Sequence, residues 1–323
     1  MKRNFVYISE SFDAYENMAV DEWFLDHVKA DEFIIHLYQN ENAVIIGKNQ
    51  NPWVECDLEK MKKDGVQLAR RVSGGGAVYH DKGNVNFSFI THKENYDEKV
   101  QLDLICRAVK SLGIPCEFSG RNDLLAQGKK FSGNAFAHRK NVAMHHGTLL
   151  VSSDLGRLSS YLTVDPKKIQ SKGIESVKSR VCNLSDFVPD LTLRQTQNAL
   201  LRCFEEKDGF FGEFAFTREE RREVETYREK HSDPHWFLGQ TPRFDWEWRE
   251  HFPFGNVQIL FSFEKGMISK AQVFTDSLMP EFSSLAEKLL SGIPFENSAI
   301  QKALSASDIP EIQALATADF TLK

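Results

Sequence analysis

Three consecutive glycines, Gly74-Gly75-Gly76, follow the pair Arg70-Arg71 in the segment RRVSGGGAVYHD. Adjacent glycines are costly to order, because each loses more backbone freedom on folding than any other residue. A folded chain keeps three in a row where its backbone must approach something closely. Backbone N–H groups beside fixed positive charge make a site for an anion, most simply a phosphate. The loop has neither the GxxxxGK[ST] nor the GxGxxG spacing, so P-loop and Rossmann modes are not expected. Arg70 and Arg71 are neighbours on an expected strand over residues 67–72. Their side chains should therefore point to opposite faces, one into the site and the other paired on the surface.

The chain has 323 residues, 41% hydrophobic and 27% charged, which is enough for two domains or one large domain with a small partner. A net charge of −6 argues against general nucleic-acid binding. No apolar run reaches the roughly 18 residues a membrane span needs. Met1 to Tyr7 lead straight into a strand-like run without a signal-peptide apolar region, so a cytoplasmic protein is expected. The five cysteines are odd in number and contain no CxxC pair, so reduced, mostly buried thiols are expected rather than a disulfide framework or zinc site.

Periodicity outlines the elements. Residues 5–8 read as a strand and 13–29 as an amphipathic helix with Asp13 as N-cap. Residues 33–38 and 43–46 are β-rich runs, and Asn40-Glu41-Asn42 between them suggests a hairpin. Residues 57–64 read as a short helix. Over residues 84–90, Val85, Phe87 and Phe89 alternate with Asn86 and Ser88, the pattern of a half-buried strand. Residues 99–112 read as a helix closed by Gly113. Two short strands, 123–126 and 130–135, are joined through Gln127-Gly128, and 147–152 is another strand. Residues 166–180 form a long basic loop, and 191–206 and 217–230 are helices. Residues 231–243 look like a linker, followed by a hairpin over 257–263 and 268–275 and a further helix at 283–290. The expectation is a mixed α/β domain over 1–244 and a small α+β domain over 245–323.

Four segments could carry chemistry. The first is the glycine loop. In the second, Asp123 could hold a magnesium ion or a polar substrate edge, or merely sit in a turn. Lys129 and Lys130 should face opposite ways, and one of them could meet a developing phosphoryl or carbonyl charge. In the third, His145 and His146 are adjacent on a strand, so they diverge and cannot easily chelate one ion. The fourth is the basic loop with Lys172, Lys178 and Arg180, either a solvated face or a lid over an anionic intermediate.

Taken together, these segments resemble the lipoate–protein ligase A family. The motifs that carry the resemblance run from Arg70 to Asn84, from Gly120 to Leu124, through Lys130 before Ser132-Gly133, from His145 to Leu150 and from Lys172 to Leu184. Similarity continues through Ala271 to Leu278, so it spans nearly the whole chain. Cys182 is a departure, since a threonine or similar residue is expected there.

The resemblance implies an α+β fold, with a biotin/lipoate ligase-like catalytic domain built on a mixed β-sheet flanked by helices and a small α+β C-terminal accessory domain. It implies two half-reactions. Lipoate and MgATP give lipoyl-AMP and pyrophosphate, and the acyl group then passes to a lysine of a lipoyl domain. The implied acceptors are the lipoyl domains of 2-oxoacid dehydrogenase complexes and the glycine cleavage H protein, served by a monomer that binds neither nucleic acid nor membrane. Arg71, Gly76, Ala77, Val78 and Tyr79 would hold ATP, and Asp123 would place Mg2+ or the nucleotide. Lys130 would be catalytic and reach both the lipoate carboxylate and the α-phosphate. Ser73, Gly74, Gly75 and His80 would border the lipoate, and Lys172, Lys178 and Arg180 would close over the adenylate. Two rivals are an ATP-independent acyltransferase using a cysteine, for which Cys182 is the candidate, and a non-catalytic binder of lipoyl carriers.

Overall fold

The computed structural model describes residues 3–119, 122–162, 181–239 and 244–320. The alternating run becomes strand β6 (Asn84–His92), in the middle of a mixed sheet. Edge to edge that sheet passes through β11 (Gly212–Glu213), β1 (Arg3–Ile8), β2 (Glu32–Tyr38), β6, β10 (Val142–Leu150), β9 (Lys129–His138), β8 (Asp123–Ala126) and β7 (Glu117–Ser119). β1 runs parallel to β2 and β11, and the other pairings are antiparallel.

β6 is buried on both faces rather than one. Its apolar side, with Phe87 and Phe89, packs with Ile105 of helix Glu98–Ser111 and Phe204 of helix Leu193–Asp208. Its polar side turns towards helix Ala14–His27, where Ser88 donates to Asp21 at 2.8 Å. The period of two therefore divides a core face from a polar interior, not from solvent. Helix Ala14–His27 departs from the amphipathic expectation for the same reason. Asn17, Asp21 and Glu22 are all buried on it.

Glu22 ties this helix to helix Arg218–Ser232. It accepts from Lys230 at 2.6 and 2.7 Å, meets His231 Nε2 at 2.9 Å, and also accepts from Arg139 at 3.1 Å. Burial alone would raise its carboxyl, but hydrogen bonds from His231 and Lys230 outweigh that and pull it down to about 2. Its pKa is lower folded than unfolded, so the unfolded chain binds the extra proton. Its contribution, on the order of 3 kcal/mol, is present above the unfolded value near 4.5 and is lost as pH falls towards about 2. Glu22→Gln should flatten the pH dependence of denaturant stability in that window. An unchanged slope would show that the clamp is not the acid-labile element.

The expected hairpin at residues 33–46 does not form. β2 belongs to the large sheet. β3 (Ala43–Ile46) turns away at Asn42 (φ 52°) into a second sheet, flanked by parallel β4 (Gln67–Arg70) and antiparallel β5 (Val78–His80). The Gln127-Gly128 turn does join β8 and β9, with positive φ at both residues. Cys106 and Cys116 correct the reduced-thiol expectation. They are joined by a disulfide, with Cα atoms 5.3 Å apart across the Gly113 turn, while Cys56, Cys182 and Cys203 are free and buried.

The expected linker continues helix Arg218–Ser232 into a short turn of helix at Pro234–Phe237, and residues 240–243 lie outside the described residues. Beyond it, β12 (Trp246–Phe252), β13 (Gly255–Glu264) and β14 (Met267–Thr275) form an antiparallel sheet. The hairpin of β13 and β14 matches the sequence pattern, whereas β12 was not foreseen. Helices Phe282–Leu290, Asn297–Ser305 and Pro310–Leu315 share its separate core, which includes Phe261, Phe282 and Phe320. This unit reaches back to the first through Thr275 N–H to Asn49 O (2.9 Å) and Gly75 N–H to Ser277 O (2.7 Å).

Candidate active site

Between the large sheet and the β3–β5 sheet lies a cavity. Tyr38, Asn86, His146, Thr148 and Lys130 contribute its floor, from β2, β6, β10 and β9 in turn. Ile45, Val78, His80 and residues 75–77 of the glycine loop contribute its roof. The floor crosses three strand spacings, about 14 Å. Gly147 lies between His146 and Thr148 on β10, and a side chain there would point to the core face, 2.6 Å from Phe87 and 2.8 Å from Asn134 Oδ1.

Lys130 lies at the β9 end, half-buried, while Lys129 is exposed, as the strand alternation predicts. Lys130 Nζ lies 2.7 Å from Asp123 Oδ1, close as an ion pair though not aligned as a hydrogen bond. The Lys130 carbonyl accepts from Cys182 N at 2.9 Å. Asn122 and Asn134 lock together beside it: Asn134 donates its backbone N–H and Nδ2 to Asn122 O, and Asn122 Nδ2 donates to Asn134 O at 2.6 Å. His145 braces this clasp through Nε2 to Asn134 Oδ1 (2.8 Å), on the far side of the strand from His146. Burial pushes the His145 ring down to about 3, so it is neutral.

Both arginines are buried, which corrects the expectation of a surface partner for one of them. Arg70 donates to the carbonyls of Gly47, Lys48, Gln50, Trp236 and Phe237, fastening the glycine-loop strand to the short helix Pro234–Phe237. Arg71 donates to the carbonyls of Ile45, Gly74 and Gly76 and to Ser73 Oγ. Burial lowers Arg71 to about 10, so it stays charged at neutral pH. Among the described residues it has no ion-pair partner, which leaves a cation in the cavity wall suited to an anion.

The remaining loop residues divide. Gly75, Gly76, Ala77, Val78 and His80 line the cavity. Ser73 does not: it sits behind the wall, 2.5 Å from His146 Nε2, and His146 Nδ1 lies 3.4 Å from Asp21. Burial would raise the Asp21 carboxyl, but hydrogen bonds from His146 and His36 hold it well below the usual carboxylate range. Gly74 faces the C-terminal unit, not the cavity: a Cβ there would strike Ser277 O and stand 2.6 Å from the Leu278 carbonyl. The Tyr79 side chain also faces away, packed near Tyr161 with its hydroxyl on Asn42. Lys172, Lys178 and Arg180 lie outside the described residues.

The sequence did not assign Met18, Tyr38, Asn86, Asn134, Gly147 and Thr148 to the site, because they come from five elements far apart in the chain, helix Ala14–His27, β2, β6, β9 and β10. It also missed Gly47, where a Cβ would strike Gly75 O. The available signal was the polar register of Asn84, Asn86 and Ser88, which alternates with Val85, Phe87 and Phe89 on β6.

No cysteine among the described residues lines the cavity. Burial pushes the Cys182 thiol up to about 11, far from an activated nucleophile. Among the described residues no group of three His, Cys, Asp or Glu is placed to hold a metal. Asp123 is a single carboxylate beside Lys130, outside the cavity lining itself, and magnesium takes one or two carboxylates when phosphates complete its shell. No helix among the described residues is long and apolar enough to cross a membrane.

Residues 13–205 match the family described as lipoyl protein ligase A/B catalytic domain, and residues 241–321 match the bacterial lipoate protein ligase C-terminus. Among solved structures, the chain is similar to LipL1 of P. falciparum in complex with lipoate, at 27% identity over 97% of this chain and 98% of that one, with a TM-score of 0.84. The bipartite lipoate protein ligase of Thermoplasma acidophilum, studied with its E2 lipoyl domain, is 32% identical over 75% of this chain and 99% of that one, with a TM-score of 0.68. A lipoate-protein ligase A bound with ATP is 32% identical over 74% and 98%, with a TM-score of 0.64.

Proposed function

Because this chain belongs to the lipoyl protein ligase A/B family, we propose that it activates free lipoate with MgATP and passes the lipoyl group to a lysine of a lipoyl domain. The observation that carries this reading is the placement of Lys130. It stands beside Asp123 at one end of a long cavity whose roof is the glycine loop. The ATP-bound and lipoate-bound relatives supply the two ligands such a cavity would join.

In the first step a lipoate carboxylate oxygen attacks the α-phosphorus, and the bond to pyrophosphate breaks. Three anionic groups must converge, so catalysis is mostly positioning and charge stabilisation. Lys130 would lie between carboxylate and α-phosphate, while Asp123 would orient it and accept magnesium with the phosphates. Arg71 would act through its buried charge and by shaping the loop, since its N–H groups already meet carbonyls. Backbone from Gly76 to Tyr79 would receive the phosphates, and Gly75 and His80 would border the acyl chain. In the second step an acceptor lysine amine attacks the acyl carbon, AMP leaves, and the amine loses its proton. Lys172, Lys178 and Arg180 are proposed to close over the adenylate and exclude water.

The proposal extends to the lipoyl domains of 2-oxoacid dehydrogenases and the glycine cleavage H protein as acceptors, to a cytoplasmic monomer, and to a division of the chain near residue 244. Intact-mass measurement of a lipoyl domain incubated with this protein and lipoate tests it. A lipoyl mass increase that needs ATP is expected. Modification without ATP would favour the acyltransferase reading, and no modification with ATP would favour a binding protein.

A further inference from the structure

We propose that His80 donates a hydrogen bond from Nε2–H to a sulfur of the dithiolane ring and thereby distinguishes lipoate from plain octanoate. The inference rests on the lipoate-ligase reading and deepens it.

The donor is assigned by a chain of contacts. Asn17 Nδ2 donates to two backbone carbonyls, Ser11 O and Gln39 O, at 3.0 Å each, which fixes its amide orientation. One of its two hydrogens is shared with Asn40 Oδ1 at 2.9 Å, and because a flipped Asn40 amide would set two donors against each other there, Asn40 is fixed in turn. Asn40 Nδ2 then points at His80 Nδ1, 3.0 Å away. Nδ1 must accept, so the proton of the neutral ring is on Nε2. Burial, then the charge of Arg71, push the ring down to about 3, so the neutral form holds throughout the working range.

Nε2 has no partner. His80 is 4% exposed, and it is the sole cavity-lining residue with a buried polar side-chain atom left unbonded among the described residues. Buried donors are nearly always satisfied, and an exception asks for a missing partner.

The topology says which part of a ligand that partner is. His80 pairs opposite Ala43 and bonds Asn40, just beyond the β2 end of the floor at Tyr38. Lys130 is three strands away, on β9. A carboxylate held at Lys130 therefore sends the far end of an eight-carbon acid towards His80. In lipoate that end carries two sulfurs, which are weak hydrogen-bond acceptors. In octanoate it is methyl and methylene, and Nε2–H stays unpaired. A site built to bond a group penalises the analogue that lacks it.

Titration calorimetry of the full chain with free lipoate and free octanoate tests this. The unmutated chain should prefer lipoate by about fivefold, the equivalent of one ordinary hydrogen bond. His80→Leu should bring that ratio close to one, with cooperative thermal unfolding as the check that the variant is folded. His80→Gln, which keeps an N–H donor, should hold much of the ratio. A Leu variant with the original ratio, or a Gln variant as low as Leu, overturns the inference. If the Leu variant does not fold, the Nε2 resonance of His80 in the unmutated chain decides: it should shift with lipoate and not with octanoate, and equal shifts overturn it. If the unmutated chain binds neither acid, the ligase reading fails first and this inference with it. Lipoate binding without selectivity sinks only the role of His80.

Discussion

Lys130→Ala should leave the chain folded and reduce lipoate-dependent ATP–pyrophosphate exchange by about 10²–10³-fold or more, the usual cost of removing one donor aimed at developing charge. The expected loss is large because Lys130 is the cation at the floor end where carboxylate and phosphate would meet. Arg71, the other charge in the wall, has its N–H groups on loop carbonyls and cannot move in to replace it. The effect on stability should be small. The Lys130–Asp123 pair is about a third exposed on each side, and such pairs contribute about 0–1 kcal/mol. Gly133 belongs to the same device, since a Cβ there would stand 3.1 Å from Lys130 Cε and Nζ. Exchange at the unmutated rate in a folded Lys130→Ala protein would remove Lys130 from the reaction.

Gly74→Ala should separate the C-terminal unit from the glycine loop. The added methyl would meet backbone, the Ser277 oxygen and the Leu278 carbonyl, and no rotamer change can relieve a backbone clash. Overpacking of this kind costs about 1–3 kcal/mol, enough to release a contact made by one short segment. The bond from Gly75 N–H to Ser277 O at 2.7 Å would go with it. Hydrogen exchange at Gly75 should then speed up by roughly tenfold or more, because opening at this interface would no longer cost the docked contact. Scattering should show a larger radius of gyration while both cores keep their cooperative unfolding. An unchanged Gly75 exchange rate and radius would mean that the segment yields locally and the glycine is not what permits docking. Gly74 is thus a glycine of the interface between units, whereas the family resemblance implies a place beside the acyl chain.

Much of the fold was legible because its signals are local. Turn residues at Gln127-Gly128 and Lys265-Gly266 specify two hairpins through positive φ, and both form. The hairpin assigned to residues 33–46 failed because a turn says only that the chain reverses, not which strand it will pair with. The disulfide was missed for a similar reason: ten residues of separation carry no distance until Gly113 bends the chain.

What the sequence determined by itself was the set of local segments that contribute to the site. The glycine loop, the alternation that sets Lys129 and Lys130 on opposite faces, and the motifs shared with a ligase family all lie within short stretches of chain, where period and turn chemistry act. Only the tertiary structure decided which loop residues face what. Gly74 docks the second unit, Ser73 backs onto His146, Arg71 holds carbonyls, and His80 keeps a donor open at the end of the cavity opposite Lys130. The physical reason is burial. A polar group taken out of water must find a partner, and that partner comes from whichever distant strand or helix packs against it, which no local pattern records.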